Sequence, residues 1–175
     1  ADIQTAIFYL PNLVLTLFVS GDRLNCYWFE LFIVLHYMIA AVSMFYLAKS
    51  IGLERAVAFF SGLAFALSGY FITRAIHQPI LYESAWFPLV VLLFRKTLLE
   101  RSWRSMILTG LLLGHTVLAG FPQMSLYIFY LLLAIFLFEW IGAVRAGTVK
   151  SSLPMAALAA GCIAISLAVA AVQLL

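Results

Sequence analysis

The sequence predicts an all-α polytopic membrane protein: a bundle of about six transmembrane helices preceded by one interfacial helix. Three observations carry that expectation. The 175-residue chain is 66% hydrophobic and only 10% charged, with a mean hydropathy of +1.11. Soluble domains hold roughly 45–50% apolar and about 25% charged residues. Its apolar runs each come near the roughly 20 residues that cross a bilayer, and no stretch alternates long enough to argue a β-barrel. A soluble core of this size could not hide so much apolar surface, so the lipid bilayer is the main solvent. The net charge of +3 is small and forms no basic stripe, so no nucleic-acid partner is expected.

The elements follow in chain order. Residues 1–26 precede the first span, and in them Ala6–Val19 is apolar but short and carries Pro11 and Asn12. That pattern fits a helix lying at the interface or dipping into it. Residues 27–175 form the transmembrane bundle, a single domain with spans expected at Tyr27–Ala48, Arg55–Phe71, Gln78–Arg95, Arg104–Ala119, Gln123–Ile141 and Leu153–Leu175. Within the second span, Gly62-x-x-x-Ala66 lets a neighbouring helix approach closely, and the Ala-rich last span with Gly161 does the same. Pro88 lacks the N–H that would meet the Ser84 carbonyl, so the third helix should bend or begin late beside Glu83. In Ala119-Gly-Phe-Pro-Gln123, Gly can end one helix and Pro can open the next. Tyr27, Trp28, Tyr82, Trp86, Tyr127 and Trp140 fall near segment ends, where amphipathic rings favour the membrane interface. Cys26 and Cys162 have no metal-like spacing and read as packing residues. The N-terminus lacks a signal-peptide pattern and the C-terminus stops inside AVAAVQLL, so both ends read as cut from a longer polytopic protein.

Charge placement orients the bundle. Lys49 and Arg55, then Arg95, Lys96, Arg101 and Arg104, then Arg145 and Lys150 mark alternate connections. The positive-inside rule makes that side cytoplasmic. The opposite face carries Asp2, Asp22, Arg23, Arg74, His77, Glu83 and the Gly120–Gln123 turn.

Gly69–Pro88 is the most informative stretch, because ionisable groups near a bilayer are costly and by default mark a site. Arg74 and His77 could bind phosphate through charge-assisted hydrogen bonds, and Glu83 or Asp2 could serve as a general base toward a hydroxyl. His36 falls within the first span, where an imidazole needs either a structural partner on a neighbouring helix or a proton-handling role. His115 either lines a cavity or bonds a carbonyl. Gln123 is expected to face the same cavity as Glu83. There is no P-loop, His-Glu-x-x-His helix or Gly-x-Ser-x-Gly elbow.

ADIQTAIFYLPNLVL, GLAFALSGYFITRAIHQPILYESAWFPLVVLL, LAGFPQMSLYI and the terminal AVQLL occur in an order that resembles the YfhO-type bacterial membrane proteins. That family belongs with the lipid-linked sugar glycosyltransferases of the GT-C class. The resemblance covers nearly the whole chain, through the loop-end motif, the Ser-Gly, the His, the Trp-x-Pro and the Gly-x-Pro-Gln. Leu10 and Ile3 stand where the family often has Pro. The resemblance implies transfer of a sugar from a polyprenyl-phosphate donor to an extracytoplasmic cell-envelope acceptor, at the bacterial inner (plasma) membrane. By position, Asp2, Gln4, Tyr9, His77 and Gln123 would border the substrate site; Arg74 and Glu83 are added from chemistry alone. No organic cofactor follows, and a divalent metal is the one cofactor left open. The family's catalytic aspartate would lie upstream of Ala1, so this stretch alone is expected to be inactive. The alternative is a non-catalytic transmembrane subunit of a larger membrane complex.

Overall fold

The computed structural model describes residues 6–20, 23–145 and 149–174, which form eight α-helices and one short β-pair. Helix α1, Leu10–Thr16, has Pro11 in its first turn, where a missing N–H costs nothing. Strands β1, Val19–Ser20, and β2, Arg23–Leu24, pair antiparallel with Val19 opposite Leu24. They lead into α2, Cys26–Ser50, whose first turn is capped by the Asn25 side chain accepting from the Tyr27 N–H at 3.0 Å. There follow α3, Arg55–Ala66; α4, Gly69–Arg74; α5, Gln78–Glu100; α6, Trp103–Val117; α7, Pro122–Arg145; and α8, Val149–Leu174.

The chain is an all-α membrane protein, and four of the six expected spans are long and apolar enough to cross a bilayer. These are α2, the α3–α4 unit, α7 and most of α8. The other two differ. Helix α5 has 23 residues and lies at the centre of the bundle, where it buries more side chains than it exposes. Helix α6 has only 15 residues, or roughly 22 Å at 1.5 Å per residue, against about 30 Å of hydrocarbon. Its brevity has a local cause: the chain turns at Gly120, φ 87°, and Pro122 opens α7 as expected.

Side-chain pairings set the helix directions. Gly62 of α3 approaches Ala41 and Phe45 of α2, while the Tyr37 hydroxyl reaches back to the Phe71 carbonyl, so these helices are antiparallel. Thr97 meets Thr109, and Trp86 meets His115, which makes α5 and α6 antiparallel. Helices α6 and α8 run parallel, with Gly110 against Cys162 and Ile165 and Gly114 against Ser166 and Val169. Helices α2 and α5 are also parallel, since His36 stacks on Tyr82 and Val42 shares a groove with Leu89. The α2–α3, α5–α6 and α7–α8 connections therefore gather at one end, and Lys49, Arg55, Arg95, Lys96, Arg101, Arg104 and Arg145 gather with them.

Small residues make the close contacts. A Cβ on Gly62 would stand 2.5 Å from the Ala41 carbonyl oxygen, so only glycine allows this approach. The α6–α8 seam is built the same way: a Cβ on Gly110 or Gly114 would lie 2.6 Å from the Cβ of Ile165 or Val169. Gly161 packs on Met106 from the other side of that seam.

Two expectations need correction. Helix α5 does not begin late at Pro88 but runs unbroken from Gln78, with Pro79 in its first turn and Pro88 buried in its interior. One missing helical hydrogen bond is tolerated because the surrounding helices clamp that turn. Cys26 is exposed at the start of α2 rather than packed, while Cys162 is buried and its thiol reaches the Met106 carbonyl at 3.6 Å.

Candidate functional site

At the end of the bundle opposite the basic connections, one side chain from outside the bundle is driven into it. The backbone N–H of Tyr9 donates to the Ala6 carbonyl at 3.1 Å, and the Asn12 side-chain amide donates to the same oxygen at 3.1 Å. Ala6 itself adopts φ 49°, a left-handed conformation costing an L-residue about 1–2 kcal/mol, and is buried. The small residue at position 6, the proline at 11 and the amide at 12 thus form a turn that aims Tyr9 inward. Leu10, Leu13 and Leu17, along α1 and just after it, are all exposed. Tyr9, which caps the N-terminus of α1, is by contrast inside the protein.

Tyr9, His36 and Glu83 are each 0% exposed. The Tyr9 ring stacks on Tyr82 at 5.3 Å and on His115 at 4.6 Å between centroids. Its oxygen lies 2.8 Å from His36 Nε2 and accepts from the Trp86 indole N–H at 2.7 Å. The proton order follows from the partners. His36 Nδ1 is 2.7 Å from the Phe32 carbonyl, which only accepts, so Nδ1 carries the proton and donates. Nε2 then accepts from the Tyr9 hydroxyl. The result is a directional chain, Trp86 N–H to Tyr9 O–H to His36 to the Phe32 carbonyl, in which each donor finds an acceptor. Burial raises the Tyr9 phenol far above its ordinary range, opposed by the Trp86 hydrogen bond and reinforced by Tyr82 and Glu83, so the hydroxyl stays protonated.

Glu83 lies on the α7 side of this nest. Its Oε1 accepts from the Ser125 hydroxyl at 2.5 Å, while its Oε2 is buried with no hydrogen-bond partner. An orphaned buried oxygen calls for an explanation, since buried polar atoms are nearly always paired. Next to it the Tyr70 and Ser84 hydroxyls lie 3.2 Å apart.

The sequence-predicted residues divide into three groups. Tyr9 and Glu83 sit together in the interior, with His36 and the half-buried His115. His36 thus has the structural partner on a neighbouring element that its position required. Arg74, His77 and Gln123 are exposed at the same end, but no hydrogen bond or ring contact joins any of them to Glu83. Gln123 instead donates to the Tyr127 hydroxyl at 2.6 Å on its own helix. The expectation that Gln123 shares a cavity with Glu83 is therefore corrected: Glu83, six positions into α5, faces Ser125 inside the bundle, while Gln123 at the start of α7 points outward. Asp2, Gln4 and Asp22 lie outside the described residues.

Tyr82 and Trp86 also need correction as interfacial aromatics, because Tyr82 is 3% exposed and Trp86 spends its N–H on Tyr9. Tyr27 and Tyr127 do have the exposure expected of interface rings. The sequence reading missed Ser125 and the bonding roles of Asn12 and Trp86. Only Asn12, three residues after Tyr9 beside Pro11, left a turn-like signal. Among the described residues no three His, Cys, Asp or Glu side chains converge as metal ligands. Comparison with known proteins finds no matching family model, no matching curated protein and no matching solved structure.

Proposed function

We propose that this chain belongs to a membrane-embedded sugar transferase that takes a sugar from a polyprenyl-phosphate donor and delivers it to an extracytoplasmic cell-envelope acceptor. The observation that carries the reading is the insertion of Tyr9. It anchors the segment that resembles the end of a GT-C extracytoplasmic loop onto the bundle, at the end where Arg74 and His77 are exposed. An exposed guanidinium and imidazole close in sequence suit a lipid phosphate at the membrane surface. Arg74 then acts by holding donor phosphate in ground and transition states alike, and His77 by moving the acceptor's proton. The positive-inside rule supports an orientation with this end away from the cytoplasm, and the family resemblance supports the bacterial plasma membrane.

A second reading has its own observation. Four grooves between these helices, of about 240–310 Å³, are lined by other residues, and Tyr9, His36 and Glu83 are themselves fully buried. A sealed polar nest also serves as interhelical glue, as a non-catalytic subunit of a membrane complex would need. Transfer of labelled sugar from a polyprenyl-phosphate donor to cell-envelope polymer, by proteoliposomes carrying the protein, separates the two. Label in the polymer supports the transferase; donor recovered unchanged in the presence of acceptor supports the subunit.

A further inference from the structure

We propose that the wedge between α7 and α8 retains one anionic phospholipid, with an acyl chain in the groove and its phosphate on the arginines at the basic end of the bundle. The groove has a volume of about 310 Å³. Phe129 and Phe136 of α7 form one wall, Ala156 and Ile163 of α8 the other, and Phe94 of α5 and Leu113 of α6 the floor. Leu133 and Ile163 are exposed at the rim while Leu113 is buried, so the groove opens toward lipid and closes inside the bundle. Every lining side chain is apolar except Cys162, whose thiol is turned to the Met106 carbonyl. A hydrocarbon chain suits such walls and a headgroup does not. The depth matches one leaflet. Phe94 lies seven residues before Arg101, Ala156 seven after Val149, and Phe129 sixteen before Arg145. At 1.5 Å per residue the groove runs from roughly 10 to 24 Å below the basic end. Headgroups fill roughly the first 5–7 Å of a bilayer, and the hydrocarbon of one leaflet about the next 15 Å.

Charge complementarity selects the headgroup. The helices that enclose the groove bring Arg95, Lys96, Arg101, Arg104 and Arg145 to this end, against Glu100 and Glu139. Among the described residues none of these five cations makes an ion pair, and only Arg104 has a ring contact, with Trp103 at 5.6 Å. Cations gathered without counter-ions favour an anionic lipid, each one near the surface contributing about fivefold in affinity. Arg101 gives a second, independent sign. It ends α5 in the left-handed conformation, φ 51°, at a position that helices usually give to glycine or asparagine. The backbone gains nothing from an arginine there, so what this residue supplies is its guanidinium, which holds phosphate oxygens through paired hydrogen bonds. Membrane orientation by positive charge requires cations at this end, but neither a groove beneath them nor an arginine where glycine fits.

The test is native mass spectrometry of the protein carrying this chain, released from detergent micelles to which phosphatidylglycerol or phosphatidylcholine with the same acyl chains has been added. Wild type should retain one phosphatidylglycerol at least about tenfold more tightly than phosphatidylcholine, the effect of two or more cations on the phosphate. Arg101→Gly should weaken phosphatidylglycerol binding about fivefold and leave the unfolding temperature unchanged or higher, because glycine suits that backbone. Ala160→Phe, which places a ring in the groove from an exposed lining position, should abolish retention of either lipid. Arg55→Ala, on α3 away from the groove, should bind as wild type does. Equal retention of the two lipids by wild type overturns the proposal, as does wild-type retention in Arg101→Gly or Ala160→Phe, or an equal loss in Arg55→Ala. No retained lipid at all also overturns it and leaves the groove to another part of the protein or to a partner subunit. If Ala160→Phe does not fold, Arg101→Gly decides alone: weaker phosphatidylglycerol binding at undiminished stability supports the site, and wild-type binding overturns it. The lipid is bound whether or not the protein transfers a sugar, so failure of either reading leaves the other standing.

Discussion

Replacing Tyr9 with Phe removes one oxygen and tests whether the nest holds the bundle together. The ring contacts with Tyr82 and His115 persist, so the change isolates the hydroxyl. Two hydrogen bonds disappear, to His36 and from Trp86. A typical bond contributes about 0.5–1.5 kcal/mol net, and a buried group left without its partner costs about 1–3 kcal/mol. His36 is 0% exposed and cannot recover a partner from water, whereas the partly buried Trp86 can. The expected loss is therefore roughly 2–4 kcal/mol, the larger share from His36. Reversible unfolding in mixed micelles measures it, with Ser61→Ala as control because that exposed hydroxyl bonds only the Val57 carbonyl of its own helix. A double-mutant cycle with His36→Phe should give a coupling energy of about 1 kcal/mol or more. A Tyr9→Phe protein within about 0.5 kcal/mol of wild type, comparable to an ordinary surface substitution, would refute the network as a stabilising element.

Other outcomes follow from the same packing and can be checked independently. Gly110→Ala and Gly114→Ala should each lower stability by about 1–3 kcal/mol through overpacking of the α6–α8 seam, while Gly142→Ala, with nothing within 4 Å of its new Cβ, should be neutral or better in the same unfolding assay. Ser125→Ala leaves both Glu83 oxygens without partners and should cost about 1–3 kcal/mol, and Glu83→Gln, which can still accept from Ser125, should cost less. Alkaline pH should act through Tyr9. Its folded pKa is raised above the ordinary phenol value of about 10, so the stability it confers is complete below that pH and is lost as pH rises further. Tyr9→Phe should remove that part of the alkaline loss. For topology, a cysteine at Ser102 in intact cells should be protected from a membrane-impermeant thiol reagent while one at Gln78 reacts; the opposite pattern would invert the orientation.

Much of the architecture was legible because it depends on runs and ends. Apolar length marked α2, the α3–α4 unit, α7 and α8, and Gly120 with Pro122 marked the turn into α7. Basic residues at alternate connections anticipated the end at which those connections gather. The site was less legible, since facing depends on which helices become neighbours. Glu83 and Arg74 look equally available in the sequence, yet α5 turns Glu83 toward Ser125 and the short α4 leaves Arg74 outside. Trp86 resembles any interfacial aromatic until Tyr9 arrives from 77 residues upstream. The Gly110-x-x-x-Gly114 spacing was readable and went unused, because a Gly pair shows a close approach but not its partner.

Steady-state kinetics of sugar transfer test the central claim most directly. The protein carrying this chain would be assayed with a polyprenyl-phosphate sugar donor as wild type, Arg74→Ala, His77→Ala and the opposite-end control Arg55→Ala. A functional outer end predicts a higher donor KM for Arg74→Ala, a lower kcat for His77→Ala and wild-type behaviour for Arg55→Ala. Wild-type rates in both outer-end variants, or equal losses in Arg55→Ala, would contradict it.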